Sequence, residues 1–201
     1  TLSVGGKEFL VDPGTFAYHT EGDWRQYFRG TSAHNSLRID EQDQSLPGGN
    51  FMWLRKAAAG CSKWQDRGDV DEFEGWQDGY MRLRDPVMHT RSITLRKPER
   101  LLLIEDRLQA VGGHLAELFF HCSEQCTVEP VQGGYGLQQQ GRNVVIRLPQ
   151  LEGADVRLYR GSTEPIAGWI SRRFDVKHPT TSIAWRAKFR GDIVLRTQIL
   201  C

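Results

Sequence analysis

The chain has 201 residues, of which 39% are hydrophobic and 25% charged, and its formal net charge is +1. That length suits one large all-β domain spanning residues 1–201, with a core big enough to hold without disulfide or metal staples. No run of about 18 apolar residues occurs, which excludes a membrane-spanning helix. The near-neutral charge, with basic residues dispersed, gives no argument for nucleic acid.

Taken in order, residues 2–11 set the Gly5-Gly6 turn between two short apolar stretches, and Asp12-Pro13-Gly14 then stops the strand. Residues 13–31 form a long polar and aromatic connection, within which 25–29 suit a short helical or irregular turn. Residues 36–40 alternate polar and apolar, as a half-buried strand does. A turn-rich break at 44–49 leads to a strand opening at 51–54, and 71–80 alternate around Phe73, Gly75 and Trp76. Residues 89–95 turn at Lys97-Pro98-Glu99-Arg100 into 101–106, the clearest hairpin in the chain. Residues 115–121 are apolar enough to be buried on both faces. Further strands are predicted at 135–139, 143–148, 155–159, 183–189 and 192–199. Many short strands punctuated by Gly and Pro, with no sustained 3.6-residue apolar period, indicate a large antiparallel β-sandwich.

Cys61, Cys122, Cys126 and Cys201 make no CxxC pair, and buried free thiols are the expected state. The chain opens on Thr1-Leu2-Ser3-Val4, inside what reads as a strand, which suggests a piece of a longer protein.

Chemistry concentrates between Asp12 and Gln44. Tyr18, His19, Arg25, Tyr27, Arg29, His34, Asn35 and Asp40 fall within this stretch, which runs from strand through long loop to strand. Loops on a rigid scaffold are where binding and catalytic groups tend to sit. His34 is the sharpest feature, since an imidazole serves as acid, base or metal ligand near neutral pH. Beside it, Asn35 can donate to a carboxylate without carrying charge. A structural hydrogen-bonding role is the competing reading for both. Among the aromatics, most tryptophans read as packing, with Trp24 in the candidate loop.

The residues Asp12-Pro13-Gly14-Thr15-Phe16-Ala17-Tyr18, then Arg25-Gln26-Tyr27-Phe28-Arg29-Gly30-Thr31-Ser32-Ala33-His34-Asn35-Ser36-Leu37, then Asp40 and Gln44, resemble the signature of the heparinase II/III family of polysaccharide lyases. Weaker matches at Gly79-Tyr80, His89-Thr90-Arg91 and Phe119-Phe120-His121 extend the resemblance along most of the chain.

The resemblance implies the supersandwich-like C-terminal portion of an α/α-toroid plus β-sandwich protein, secreted or periplasmic in a bacterium. The activity it implies is β-elimination on an acidic, uronic-acid-containing polysaccharide. The principal acid and base would come from the upstream toroid, and His34 would be contributed to the inter-domain cleft. Asn35, Arg29 and Tyr18 become candidates for substrate contact, against a backbone cap, a salt bridge and loop packing respectively. No cofactor is required for the chemistry. Some relatives hold a structural metal through two histidines and a carboxylate, for which His34 and His89 are the nitrogens on offer, with Asp40, Asp66, Asp69 or Asp71 as the acid. In some relatives a catalytic and a ligating histidine stand two residues apart, and here Ser32 occupies the first of those places. A non-catalytic carbohydrate-binding module of the same fold is the alternative function.

Overall fold

The computed structural model describes residues 1–18 and 22–201. Two antiparallel sheets carry the architecture. The larger has eight strands in the spatial order Thr127–Val131, Gly134–Gln139, Arg142–Arg147, Ile193–Leu200, Leu101–Gln109, Met88–Arg96, Val70–Gln77 and Ala59–Asp66. The smaller runs Asp155–Arg160, Thr181–Arg190, Gly113–His121, Leu37–Ile39. Every pairing in both is antiparallel, as short Gly- and Pro-marked connections require.

Period-2 alternation decides what each strand buries. On the smaller sheet Leu37 and Ile39 pair with Leu118 and Ala116, and Ile183, Trp185, Ala187 and Phe189 share that inward face. The larger sheet answers with Ile104, Leu108, Leu137, Val144, Ile146, Leu195 and Ile199, giving one continuous apolar cluster. The predicted sandwich is therefore the observed fold.

A second, smaller cluster of Phe16, Ala17, Tyr27, Phe28 and Ala33 forms around the helix Gly22–Arg29. Asp23 in its first turn and Arg29 in its last complement the helix dipole. Trp24 packs edge-on against Trp169, with ring centroids 5.1 Å apart, so its role is packing. The four cysteines are free thiols. Cys122 and Cys126 are buried, as expected, whereas Cys61 is exposed and Cys201 half-buried.

Candidate active site

The histidine singled out by the sequence lies where a single 3-10 turn, Thr31–Ala33, hands the chain to the strand Leu37–Ile39. His34 Nδ1 stands 2.7 Å from Asp12 Oδ2, and the two side chains are 37% and 56% exposed. Asp12 also accepts from the Gly14 N–H at 3.0 Å. The hydrogen bond from His34 holds the Asp12 carboxyl below its ordinary pKa, against an opposing push from partial burial. Gly14 sits at φ +83°, and a Cβ there would collide with the Ser171 carbonyl, so the Asp-Pro-Gly turn is sterically bound to glycine. With Nδ1 occupied by a carboxylate, Nε2 is the nitrogen left for chemistry. Asp12 thus orients the ring.

Asn35 is committed to the backbone. Its Nδ2 donates to Val11 O at 2.9 Å, and its Oδ1 accepts from the His121 N–H at 2.7 Å. It clips the segment carrying Asp12 to the strand Gly113–His121, which matches the backbone-cap reading. Arg29 likewise donates to the carbonyls of Gly49, Asn50 and Met52, and lies 4.2 Å over the Trp53 ring. It secures a loop through carbonyls, and among the described residues no carboxylate takes part. Tyr18 is 44% exposed and stacks on Phe51 and Phe174 at 5.9 and 5.6 Å, with Arg25 over its ring at 5.2 Å. His19 lies outside the described residues.

His89 is buried, with Nε2 2.6 Å from Asp106 Oδ1 and Nδ1 3.3 Å from Gln77 Nε2. Arg91 grips both oxygens of the same carboxylate, at 2.7 and 2.9 Å, and donates to Asn35 O at 2.7 Å. Burial alone would raise the Asp106 pKa. The charge of Arg91 and the bonds from His89 and Arg91 outweigh burial and hold it well below the carboxylate range.

This arrangement does not fit the metal suggested by the resemblance. His34 and His89 are bonded to different carboxylates, and a guanidinium already neutralises Asp106. Among the described residues no three His, Cys, Asp or Glu side chains gather as a ligand set. Of the acids considered, Asp40 is bonded to His114, while Asp66 and Asp71 pair with Lys97.

His114 is buried between Asp40 at 2.7 Å and Asp85 at 3.1 Å. His121 bonds Ser182 Oγ through Nδ1 at 2.7 Å, and its ring lies beside the backbone of Ser32 and His34. Burial lowers its pKa to about 4, helped by the charge of nearby His34 and opposed by the backbone of Ser32 and His34.

His121 also lines a recess of about 290 Å³ on the open face of the smaller sheet, shared with Ser32, Arg38, Tyr27 and Arg186. Nothing in the local sequence marks this recess. It appears only once four strands and the helix are brought together. A wider groove of about 740 Å³ near Arg147 and Arg196 is lined by none of the residues singled out from sequence.

Known structures resemble this architecture closely. The heparan sulfate lyase of Pedobacter heparinus superposes with a TM-score of 0.75 at 15% identity, over 97% of this chain and 28% of that one. A heparinase III gene product gives 0.74 at 17% identity, over 96% and 28%, and a heparinase III crystal structure gives 0.74 at 18%, over 96% and 27%. The chain thus spans between a quarter and a third of the length of these proteins. No curated protein matches the sequence. The model of the heparinase II/III-like C-terminal family matches residues 1–197, and the chain belongs to that family.

Proposed function

We propose that this chain is the sandwich portion of a polysaccharide lyase that cleaves uronic-acid-containing polysaccharide by β-elimination, with His34 facing the cleft. The observation that carries the reading is the half-exposed His34–Asp12 pair at 2.7 Å, set at a loop-to-strand junction. In β-elimination a base takes the C5 proton next to the carboxylate, and the electron pair forms the C4–C5 double bond. The C4–O bond breaks as an acid protonates the departing oxygen. His34 Nε2, with Nδ1 held by Asp12, suits either of two tasks. As imidazolium it neutralises the substrate carboxylate while charge builds on it, and as a proton carrier it assists the transfer. The remaining acid and base belong to an upstream toroid in this proposal.

Activity is tested on the full-length parent by following the absorbance of unsaturated uronate over a panel of acidic polysaccharides. His34→Ala is expected to reduce the rate by about 10²–10⁴. Its thermal stability should barely change, because an exposed ion pair contributes at most about 1 kcal/mol. A folded His34→Ala protein as active as wild type removes His34 from the mechanism.

The exposed cluster of Tyr18, Phe51 and Phe174 favours a second reading, a carbohydrate-binding module that uses aromatic faces. It predicts saccharide binding by the parent without unsaturated product.

A further inference from the structure

The strand Ile193–Leu200 pairs along its whole length with Leu101–Gln109, from Ile193↔Leu108 to Leu200↔Leu101. On its other side it meets Arg142–Arg147 only at Arg147↔Gln198, Ile146↔Ile199 and Val145↔Leu200. The larger sheet therefore splits beside residues 193–197, and the reason is local. Leu148 donates its N–H to Gly133 O at 2.9 Å, and Pro149 then has no N–H to offer a ladder. Trp185 Nε1 donates to Pro149 O at 3.0 Å, which draws the chain off towards the smaller sheet. Between this departing segment and the strand lies the groove of about 740 Å³. The open stretch of strand is about 17 Å long.

In an antiparallel ladder successive residues turn their N–H and C=O groups to alternate sides, so every second residue of this stretch presents backbone to the groove. The two outer edges of the same sheet are blunted. Ala59–Asp66 is interrupted by a bulge between Cys61 and Lys63, and Thr127–Val131 carries Glu129 and Pro130. The stretch 193–197 has no bulge, proline or lysine, and Ile193, Val194 and Thr197 are β-branched. Open edges are normally protected by such devices, so this one is a template for a further strand. Its side chains sort by face. Leu195 is buried, Ile193 and Leu151 lie at the margin of the main core, and Arg196 and Gln198 are exposed. Arg147 stands opposite Gln198 and Arg107 opposite Val194, which sets guanidinium groups around the outward rim. Glu105 takes Arg196 at 2.6 Å, whereas among the described residues Arg107 and Arg147 enter no ion pair.

We propose that this groove takes an extended acidic peptide segment of a protein partner, added as a strand alongside residues 193–197. Main-chain bonds to the open edge supply affinity, and alternate side chains supply specificity, as in strand addition generally. Acidic side chains at every second position meet Arg107 and Arg147 on the outward side, where a guanidinium fork matches a carboxylate. Apolar side chains between them meet Ile193, Leu148 and Leu151 on the inward side. A saccharide is a poorer occupant, because among the described residues no aromatic ring lines the groove to stack on a sugar face. A second copy of this chain is a poorer one too, because the outer edges of its larger sheet are blunted.

The test uses the full-length parent and two fluorescein-labelled peptides, Glu-Val-Glu-Val-Glu-Val and Lys-Val-Lys-Val-Lys-Val, followed by fluorescence anisotropy at low salt. The acidic peptide is expected to bind about tenfold more tightly, and the preference should reverse in the double variant Arg107→Glu with Arg147→Glu. Both arginines are exposed, so the variant should keep its melting temperature. Of two acidic peptides N-methylated at alternate residues, one should lose binding and the other keep it, because only one set of N–H groups faces the strand. Hydrogen exchange at residues 193–197 should slow when the peptide binds. Binding of neither peptide, equal binding of both, equal binding of the two N-methylated forms, or unchanged exchange at 193–197 overturns the proposal. Exchange there that slows with rising protein concentration and no peptide assigns the groove to a second copy, which also overturns it. Displacement of the peptide by an acidic oligosaccharide assigns the groove to saccharide, with the same result.

Discussion

Burial, which outweighs the pull of the Asp12 carboxylate, makes His121 a point at which acid acts on this chain. Its folded pKa, about 4, lies below the unfolded value of 6.5. The unfolded state therefore binds the proton first, and the stability held above pH 6.5 is lost as pH falls towards 4. The loss amounts to at most about 3 kcal/mol. Melting temperatures measured from pH 7 to pH 4.5 should fall steadily, and His121→Gln should flatten that profile. The depressed carboxylates Asp12 and Asp106 act the same way at lower pH, where their protonation removes stability present above the ordinary carboxylate range. A wild-type profile flat down to pH 4.5 would show that His121 is solvated. At this scale the sequence was informative about His34, because its neighbours spell a recognisable block. It was silent on Asp12 as its partner, 22 positions away, and on His114, whose two carboxylates come from distant segments. Much of the same block is structural. Thr31 accepts from the Gln44 N–H at 2.9 Å and donates its own N–H to Asp43 at 2.6 Å, while Gln44 reaches Ser36 at 3.0 Å. A family motif therefore marks residues that build the site as strongly as those that act in it.

Among the elements, the tight turn after Leu37–Ile39 carries a local conflict. Asp40 and Glu41 have φ of +50° and +58°, and Gln42 N–H closes the turn on Ile39 O at 2.8 Å. Two residues with positive φ suit Asn-Gly better than Asp-Glu. Asp40 is held there by the Leu115 N–H and by His114. Glu41 is exposed and has no such hold, so Glu41→Gly should raise stability by about 0.5–1 kcal/mol, read as the midpoint of urea unfolding. An unchanged or lowered midpoint would mean that Glu41 makes a compensating contact. Strands such as Met88–Arg96 and Leu101–Gln109 were legible because a Pro-marked turn separates two strongly patterned runs. Ala59–Asp66 and Thr127–Val131 escaped notice, being polar, largely exposed and at the two edges of the larger sheet, where no core face imposes alternation. The helix Gly22–Arg29 was expected only as a short turn at 25–29, since eight residues are too few for a helical period to declare itself.

Across the whole molecule, Arg91 joins the layers by binding Asp106 within the larger sheet and the Asn35 carbonyl at the entry to the smaller one. It supplies the positive charge that a metal would bring to Asp106. Chelators should accordingly leave the melting temperature unchanged, whereas Arg91→Ala should cost about 3–5 kcal/mol by stripping a buried carboxylate of its main counter-charge. A melting temperature that drops on chelation would assign the counter-charge to a bound ion. The sandwich itself could be read from strand spacing, but this bridge could not, because nothing local relates positions 35, 91 and 106.

The place of Ile193–Leu200 in the larger sheet has a consequence for biosynthesis. Residues 59–109 and 127–147 form two meanders that share no ladder, and only this strand, translated after the other seven of the sheet, stitches them side by side. A nascent chain therefore carries two open edges, at Leu101–Gln109 and Arg142–Arg147, until the seam arrives. Such edges template intermolecular pairing. The interval between the second meander and the seam, filled by Asp155–Arg160 and Thr181–Arg190, is the window in which a chaperone has most to shield, and one in which slow elongation carries the greatest hazard.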